Sequence, residues 1–243
     1  MDDISIHRVT ILDLKLVPWT WPFAVKNSAE VAENFAAQQK KKPTLFNGRV
    51  LLMREPRVIG ERLTATYFES DFATYLMWRD FGFPGEGIFS GFGMGALRDA
   101  DGVYVMGEMS PHTANGGRVY FPSGTPDPSD LVGDRVDIEG SIVREVEEET
   151  GLTSADYTAR PEFLCVIAKP AVAIIQVLDL KTSAAVAKQT ILNNIAREEL
   201  PEFSDVHLIR NVADITPAMP RYVAAFIRTM CLERGQDRVP RRG

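Results

Sequence analysis

The chain has 243 residues, of which 45% are hydrophobic and 25% are charged, and its formal net charge is −6. This composition predicts a packed globular core, and the negative charge argues against binding nucleic acid or an anionic membrane through bulk positive charge. The sequence has no uncharged run of the roughly 18 residues that a membrane-spanning helix needs, and no export signal at its start. The two cysteines, Cys165 and Cys231, lie far apart, so neither a disulfide framework nor a thiolate metal site is expected. We therefore expect a soluble, cytoplasmic protein.

The first part of the chain is expected to be rich in β-strands. Residues 5–19 and 48–68 alternate apolar and polar side chains and contain many β-branched residues, which is typical of half-buried strands. The stretch between them, 27–43, predicts a helix, because Asn27 or Ser28 can cap its start and a proline follows its end.

A shorter helix is expected within 70–87, where glycine and proline residues end it. A serine and an aspartate at its start can cap it. Its aromatic side chains, Phe72, Tyr75 and Trp78, are expected in the core. Stacking on a base near the mouth of a site is the alternative for one of them.

From residue 87 onward, strand-like and helical stretches alternate. The expected strands are 87–109, 161–180 and 204–210, and the expected helices are 135–150, 183–200 and 216–235. The last helix is expected to begin with Thr216 as its cap and Pro217 at its first position. The glycine-rich stretch 91–95 lacks the spacing of a dinucleotide-binding loop, so it is weak evidence for a nucleotide site.

These patterns divide the chain into three parts. Residues 1–87 are expected to form a β-rich N-terminal segment or subdomain, 88–235 the main domain, and 236–243 a disordered tail. The fold class is expected to be α+β, with the β-rich segment preceding the main domain.

One stretch, REVEEETGL at 144–152, places four glutamates in five positions. In a helix, Glu145, Glu148 and Glu149 fall on one face because they are spaced i, i+3 and i+4, and an apolar stripe runs beside them. Three carboxylates at the border of a core repel one another, so they need a counter-charge. Arg144 together with solvent and sodium is one source, and a hard divalent cation such as Mg²⁺ is the other.

The same stretch is expected to end its helix at a fixed point, because a glycine directly after it suits a left-handed C-cap. These residues also resemble the core of the Nudix box, R-E-U-x-E-E-x-G-U with U apolar, at every specified position. The matching positions are Arg144, Glu145, Val146, Glu148, Glu149, Gly151 and Leu152. In the order of its elements, the chain is similar to Nudix hydrolases over about 88–215.

The resemblance implies an α/β/α sandwich with a mixed sheet, and hydrolysis of the diphosphate linkage in a nucleoside diphosphate derivative. It also implies Mg²⁺, with Mn²⁺ as a substitute, held by Glu145, Glu148 and Glu149, so that the charge of the diphosphate is neutralised and water can attack phosphorus. Arg144 is expected to orient the glutamates through forked hydrogen bonds.

The upstream half of the box departs from the family pattern. That pattern, G-x5-E-x7 before the arginine, requires a glycine and a glutamate where this chain has Asp130 and Val136. Gly124 stands 20 residues before Arg144, six more than in the pattern, which indicates a longer loop. Asp134 is expected to cap the helix or to support the site without binding metal itself.

The catalytic base is expected among the box glutamates or on the loop after the helix at 183–200. The loop candidates are Glu198, Glu199, Glu202 and Asp205. We select Glu202 among them. Substrate contacts are expected from the loop before the box, and the residues are His112, Asn115, Arg118 and Gly124.

The N-terminal part is similar in outline to the Nudix branch that cleaves UDP-sugars, so a sugar nucleotide is the preferred substrate. ADP-ribose-type compounds, dinucleotides and coenzyme A are the alternative substrates. Two alternatives to an enzyme also stay open: a Nudix-fold ligand-binding module that has lost its chemistry, and an N-terminal segment that serves chiefly as a homodimer surface. No nucleic-acid or membrane partner is expected.

Overall fold

A computed structural model describes residues 4–85 and 87–237. The strands are β1 (Ile4–Val9), β2 (Ile11–Leu16), β3 (Arg49–Ile59), β4 (Arg62–Asp71), β5 (Ile88–Arg98), β6 (Tyr104–Met109), β7 (Val119–Tyr120), β8 (Leu131–Val132), β9 (Arg135–Val136), β10 (Tyr157–Ala168), β11 (Ala171–Leu180) and β12 (Phe203–Ile209). The helices are α1 (Pro22–Lys26), α2 (Ser28–Lys41), α3 (Phe72–Asp80), α4 (Ile138–Thr150), α5 (Ala184–Ile195) and α6 (Arg221–Asp237). In these two ranges, no helix combines the length and the apolar character needed to cross a membrane.

The strands form one mixed sheet. Its main path runs β1-β10-β11-β5-β3-β4-β2-β9-β8, and β6 pairs with β5, β7 and β12 beside this path. Most neighbours are antiparallel, but β11 is parallel to β5 and β2 is parallel to β4. The predicted fold class, α+β with a mixed sheet, is confirmed.

Helices cover both faces of the sheet around β5, β10 and β11. Helices α4 and α5 pack on one face, where Val146 of α4 is fully buried, and α6 packs on the other face through Phe226. Adjacent residues of β11 face opposite sides, as the pleat of a strand requires: Ile174 joins the α4 and α5 side, and Ile175 joins the α6 side. The layers are therefore those of an α/β/α sandwich.

Two glycines of β5 allow α4 to approach the sheet closely. A Cβ atom on Gly93 would lie 2.6 Å from Cγ1 of Ile142, and one on Gly95 would lie 2.5 Å from Cγ2 of Val146. Any larger residue at these positions would push the helix outward. Packing of a helix on a strand therefore accounts for the glycine-rich stretch 91–95.

The N-terminal part shares its sheet with the rest of the chain. Strand β1 is antiparallel to β10, from Ile4 opposite Ala168 to Val9 opposite Phe163. Strand β3 pairs with β5 at two positions, which joins the two halves of the sheet. The division near residue 87 stays a prediction. In the predicted tail, 236 and 237 belong to α6, and 238–243 lie outside the described residues.

Several predicted element boundaries are wrong. The helix predicted at 135–150 begins at Ile138, because residues 135 and 136 pair as strand β9. Residues 87–109 form two strands, β5 and β6, separated by a turn. Helix α6 begins at Arg221 and not at Pro217, because Pro220 disfavours the helical conformation of the residue before it. Helix α5 ends at Ile195, five residues earlier than predicted, and the chain then turns before Pro201. This earlier end leaves residues 196–202 in a loop.

Candidate functional site

The acidic helix α4 ends as the sequence predicts. Gly151 has the left-handed backbone conformation, with φ of 70°, and its N–H donates to the carbonyl of Glu147 at 2.8 Å. Asn194 of α5 donates its side-chain N–H to the carbonyl of Thr150 at 2.9 Å. A Cβ atom on Gly151 would collide with the amide of Asn194. Glycine is thus required both by the backbone and by this contact, and the predicted C-cap is confirmed.

Two of the three aligned glutamates are buried. Glu149 is 5% exposed and the side chain of Glu145 is 12% exposed, whereas the side chain of Glu148 is 59% exposed. The loop backbone at Gly124 lies directly against the carboxylate of Glu145, where a Cβ atom would not fit. The glutamate face of α4 therefore borders the core, and only Glu148 extends well into solvent.

Arg144 is shared by three carboxylates. Its Nη1 lies 2.8 Å from Oε1 of Glu145 and 3.1 Å from Oε2 of Glu148. Its Nη2 donates to both carboxylate oxygens of Asp130, at 3.0 and 3.3 Å. Asp130 is 5% exposed and also accepts a hydrogen bond from the N–H of Asp127 at 3.0 Å. Asp130 thus fixes the guanidinium group, which in turn fixes two of the glutamates.

Glu202, on the loop that leads into β12, adds a carboxyl group to those of Glu145, Glu148 and Glu149. These four residues are the acidic group. The carboxyl group of Glu202 lies close enough to that of Glu149 for its charge to raise the pKa of Glu149, whose carboxylate accepts a hydrogen bond from the N–H of Ser123 at 3.0 Å. The carbonyl of Glu202 accepts a hydrogen bond from the N–H of Ser110 at 2.7 Å. The carboxyl groups of Glu149 and Glu202 therefore oppose each other's ionisation.

Three carboxyl groups of this site, those of Glu145, Glu149 and Glu202, have raised pKa values. Burial raises the pKa of Glu145 to about 7, against the opposing effect of Arg144. Burial and the charge of Glu145 raise the pKa of Glu149 well above its ordinary value. Burial and the charge of Glu148 raise the pKa of Glu202. Desolvation and mutual repulsion therefore both act against full ionisation of the group.

The glutamates of this site are ligands of the type that a hard divalent cation prefers. Carboxylate oxygens are the ligands that Mg²⁺ binds best, and the charge of Glu202, from a distant part of the chain, acts on both Glu145 and Glu149. Arg144 contacts Glu145, but its other contacts are to Asp130 and Glu148, so it balances only part of this charge. A cation bound here would relieve the repulsion that raises the three pKa values.

A pocket of about 480 Å³ shares Ser123 and Gly124 with the acidic group. Of the predicted substrate contacts, Asn115 and Arg118 also line this pocket. Asn115 donates its side-chain N–H to the hydroxyl of Tyr120 at 3.1 Å. His112 lies elsewhere in the site, close enough to Glu202 for its charge to affect the pKa of that carboxyl group.

Two other candidates for the catalytic base, Glu198 and Glu199, are exposed on the loop after α5, and Glu202 on the same loop is exposed as well. Asp205 lies on β12 beside Glu108 and His207, and His207 Nε2 is 2.8 Å from Oε2 of Glu108. The ligand atoms of these three residues lie within 4.8 Å of one another, so they could hold a metal ion. Asp205 thus belongs to a separate cluster at the β6 and β12 edge.

The prediction that Asp134 caps α4 is wrong. The residue at the N-cap is Asp137, and Asp134 lies in the turn between β8 and β9, where its carbonyl accepts a hydrogen bond from the N–H of Leu16 at 2.8 Å. The longer loop forms a short hairpin of its own, which adds to the sheet beside β2. Val136 is 2% exposed in this hairpin. The position that the family pattern gives to a glutamate is therefore a core position here.

Sequence reasoning missed two residues of the site, Asp130 and Ser123. Asp130 replaces the glycine of the family pattern, and the spacing Asp127-Pro-Ser-Asp130 forms a capping box in a short 3₁₀ helix. This spacing is a signal that could have indicated an ordered Asp130. The contribution of Ser123 is a backbone N–H, which leaves no trace in the residue type.

Comparisons with known proteins give structural similarity without sequence similarity. No family model and no curated protein matches the chain. Among solved structures, the MutT protein from Methanosarcina mazei Go1 is 17% identical over 60% of this chain and 95% of its own, with a TM-score of 0.37. RenU, a Nudix hydrolase from M. smegmatis, is 15% identical over 63% and 88%, with a TM-score of 0.37. An Ap4A hydrolase from C. elegans is 14% identical over 60% and 95%, with a TM-score of 0.34. At these scores the similarity assigns no function, so the residues of the site have to support one.

Proposed function

We propose that this protein is a Nudix-type hydrolase that uses Mg²⁺, or Mn²⁺ in its place, to cleave the diphosphate linkage of a nucleoside diphosphate derivative. One observation carries the proposal: Glu145 and Glu149 of the REVEEETGL stretch are largely shielded from solvent on a fixed helix end, and Arg144, which also contacts Asp130 and Glu148, neutralises them only in part. An acidic helix with a purely structural role would present its carboxylates to solvent, as Glu147 does.

The proposed metal ligands are Glu145, Glu148 and Glu149. When bound, the cation would neutralise the diphosphate and polarise the phosphorus that water attacks. The protein contributes the positions of the ligands: Arg144 orients Glu145 and Glu148 through contacts of 2.8 and 3.1 Å, and Ser123 holds Glu149. Such preorganised charge is the main source of catalysis in phosphoryl transfer.

Glu202 is the proposed proton acceptor. The residue as a whole is exposed, but partial desolvation of its carboxyl group and the charge of Glu148 raise its pKa, which makes it a stronger base than an unperturbed glutamate. Ser110 holds its loop through two hydrogen bonds, from its N–H to the carbonyl of Glu202 and from its hydroxyl to the carbonyl of Pro201, both at 2.7 Å. Glu202 would take a proton from the attacking water while the anhydride P–O bond breaks and the second phosphate leaves.

The test is hydrolysis of a panel of diphosphates with Mg²⁺: UDP-glucose, ADP-ribose, diadenosine tetraphosphate and coenzyme A, with products identified by mass. In ¹⁸O-labelled water, the label should appear in a phosphate product, since attack occurs at phosphorus. EDTA should abolish turnover, and Mg²⁺ or Mn²⁺ should restore it. UDP-glucose tests the sugar-nucleotide prediction that the N-terminal part of the sequence supports.

Variants of α4 supply the matched comparison. Glu148→Gln and Glu149→Gln should each lower turnover at least about a hundredfold, because each removes a carboxylate that stabilises the transition state through the cation. Glu147→Gln changes an exposed glutamate of the same helix and should keep normal turnover. Turnover that survives in EDTA or in Glu149→Gln would refute the proposal. Binding of the panel without any turnover would favour the ligand-binding module.

A further inference from the structure

The pocket beside the acidic group has a charge opposite to that of the protein. The chain has 33 acidic and 27 basic residues, yet among the residues that the structure describes (4–85 and 87–237), those that line the pocket include Arg118, Lys169 and Arg221 and no aspartate or glutamate. Lys169 lies in the turn between β10 and β11, and Arg221 begins α6. Clustering of basic residues in one cavity of an acidic protein indicates an anionic ligand.

The walls of this pocket are aromatic. Tyr75 of α3 and Phe83 come from the N-terminal part of the chain, and Phe92, Tyr120 and Tyr222 come from the rest. The rings of Phe92 and Tyr222 are in edge contact, with centroids 5.4 Å apart. Aromatic walls suit a flat ring such as a nucleobase, and about 480 Å³ lies within the range of roughly 300–1,000 Å³ that small-molecule sites occupy.

The pocket has more basic residues than are needed to bind a diphosphate whose charge a metal ion already neutralises. In the proposed function, the diphosphate lies at the glutamates of α4, which the pocket reaches through Ser123 and Gly124. Arg118 lies on the loop segment that also leads to these two residues, whereas Lys169 and Arg221 lie on other elements. The first turn of the 17-residue helix α6 also lines the pocket, and a helix N-terminus favours an anion.

We propose that the pocket binds a nucleoside that carries a phosphate group in addition to the diphosphate, with its base against the aromatic walls and the additional phosphate at Lys169 and Arg221. This inference rests on the proposed function and narrows its substrate to nucleotides phosphorylated on the sugar. Plain sugar nucleotides and ADP-ribose lack that group, so they would use only part of the pocket.

The test is calorimetric binding in EDTA, where hydrolysis plays no part. AMP is compared with adenosine 3′,5′-bisphosphate and adenosine 2′,5′-bisphosphate, and UMP with the corresponding uridine compounds. At least one bisphosphate should bind about tenfold or more tightly than its monophosphate, since hydrogen bonds between charged groups are strong. Equal affinities, or no measurable binding by any of these nucleotides, would overturn the inference.

Substitutions in the pocket test where the additional phosphate binds. Lys169→Met with Arg221→Met should remove the preference for the bisphosphate, while Arg228→Met, an exposed arginine of α6 outside this pocket, should keep it. Tyr75→Ala should weaken the binding of every nucleotide in the test, and Tyr75→Phe should not. If Lys169→Met with Arg221→Met still binds the bisphosphate more tightly than the monophosphate, the additional phosphate does not bind at Lys169 and Arg221, and the inference is overturned.

An activity comparison separates the inference from the proposed function. With Mg²⁺, coenzyme A should be cleaved at least about tenfold faster than dephospho-coenzyme A, or NADPH faster than NADH, at low substrate concentration. Equal cleavage within both pairs refutes the inference and leaves the proposed function standing. If no diphosphate is cleaved, the proposed function fails, and the binding test in EDTA still decides what the pocket recognises.

Discussion

Asp130 is the residue that positions Arg144, and its removal should be costly. It is 5% exposed and accepts two contacts from the guanidinium group, at 3.0 and 3.3 Å. We expect Asp130→Asn to lower the free energy of unfolding by about 1–3 kcal/mol, because a buried charge-assisted hydrogen bond is lost and Arg144 keeps its charge. Urea denaturation monitored by circular dichroism measures this change.

The ion pair of Arg135 and Asp137 is the control for this prediction, because Asp137 is less buried than Asp130 and its side chain makes no capping hydrogen bond at the start of α4. Its atoms lie 3.4 Å apart near the surface, so Asp137→Asn should change the free energy of unfolding by less than about 1 kcal/mol. Turnover should also fall in Asp130→Asn, since Arg144 would no longer hold Glu145 and Glu148 in place. Equal stability of the two variants would mean that Asp130 does not fix the guanidinium group.

Glu145 should make stability depend on pH when no metal is bound. Burial raises its pKa from 4.5 to about 7 in the folded protein, so the folded state holds its proton more tightly than the unfolded chain does. The stabilisation is complete below about pH 4.5 and is lost as the pH rises to about 7, with an amplitude of roughly 3 kcal/mol. Unfolding in EDTA between pH 4.5 and 8 measures it.

A glutamine at position 145 cannot titrate, so Glu145→Gln should remove this part of the pH dependence. Glu147→Gln, on the exposed side of the same helix, should keep it. Mg²⁺ at pH 8 should raise the free energy of unfolding of the wild-type protein, because it binds the folded carboxylates preferentially. If the free energy of unfolding depends on pH in the same way in Glu145→Gln and Glu147→Gln, Glu145 is not the group that causes this dependence.

At the scale of elements, the position of α4 depends on the glycines of β5. A Cβ atom on Gly95 would lie 2.5 Å from Cγ2 of Val146 and 2.9 Å from Cδ1 of Leu178. Gly95→Ala should therefore displace α4 and lower the free energy of unfolding by about 1–3 kcal/mol. Because the glutamates move with the helix, turnover should fall by more than the loss of folded protein explains.

Gly48→Ala is the matched substitution, since a Cβ atom there would make an ordinary contact of 3.5 Å with Phe46. We expect it to leave both stability and turnover nearly unchanged. Thermal unfolding and turnover per folded molecule check both variants. If Gly95→Ala behaves like Gly48→Ala, the helix is not held against the strand as closely as these distances indicate.

Elements with strong local signals could be predicted from the sequence, and those that depend on long-range packing could not. The end of α4 was predictable because Gly151 has a local conformational role. The hairpin of β8 and β9 was not, because two strands of two residues each are stabilised only by pairing with β2. The same limit applies to the site: the spacing of the glutamates predicts their common face, but the pairing of Asp130 with Arg144 requires the folded loop.

At the scale of the whole molecule, the N-terminal part is built into the structures on which the site depends. Val9 and Met53 are fully buried, and both belong to the core cluster that contains Val146 of α4. Tyr75 and Phe83 line the pocket beside the acidic group. The part of the chain before residue 88 therefore contributes to the core, to the sheet and to the pocket at once.

A chain that begins at residue 88 should consequently fail to fold as a stable unit. It would lack β1 beside β10 and β3 beside β5, so that both strands would expose unpaired edges and the apolar residues now covered by Val9 and Met53. We expect the 88–243 fragment to be insoluble or to unfold without a cooperative transition, whereas the full chain should show one transition in which circular dichroism and tryptophan fluorescence coincide. The opposite result, a soluble 88–243 fragment with native circular dichroism and cooperative unfolding, would establish residues 1–87 as a separable subdomain.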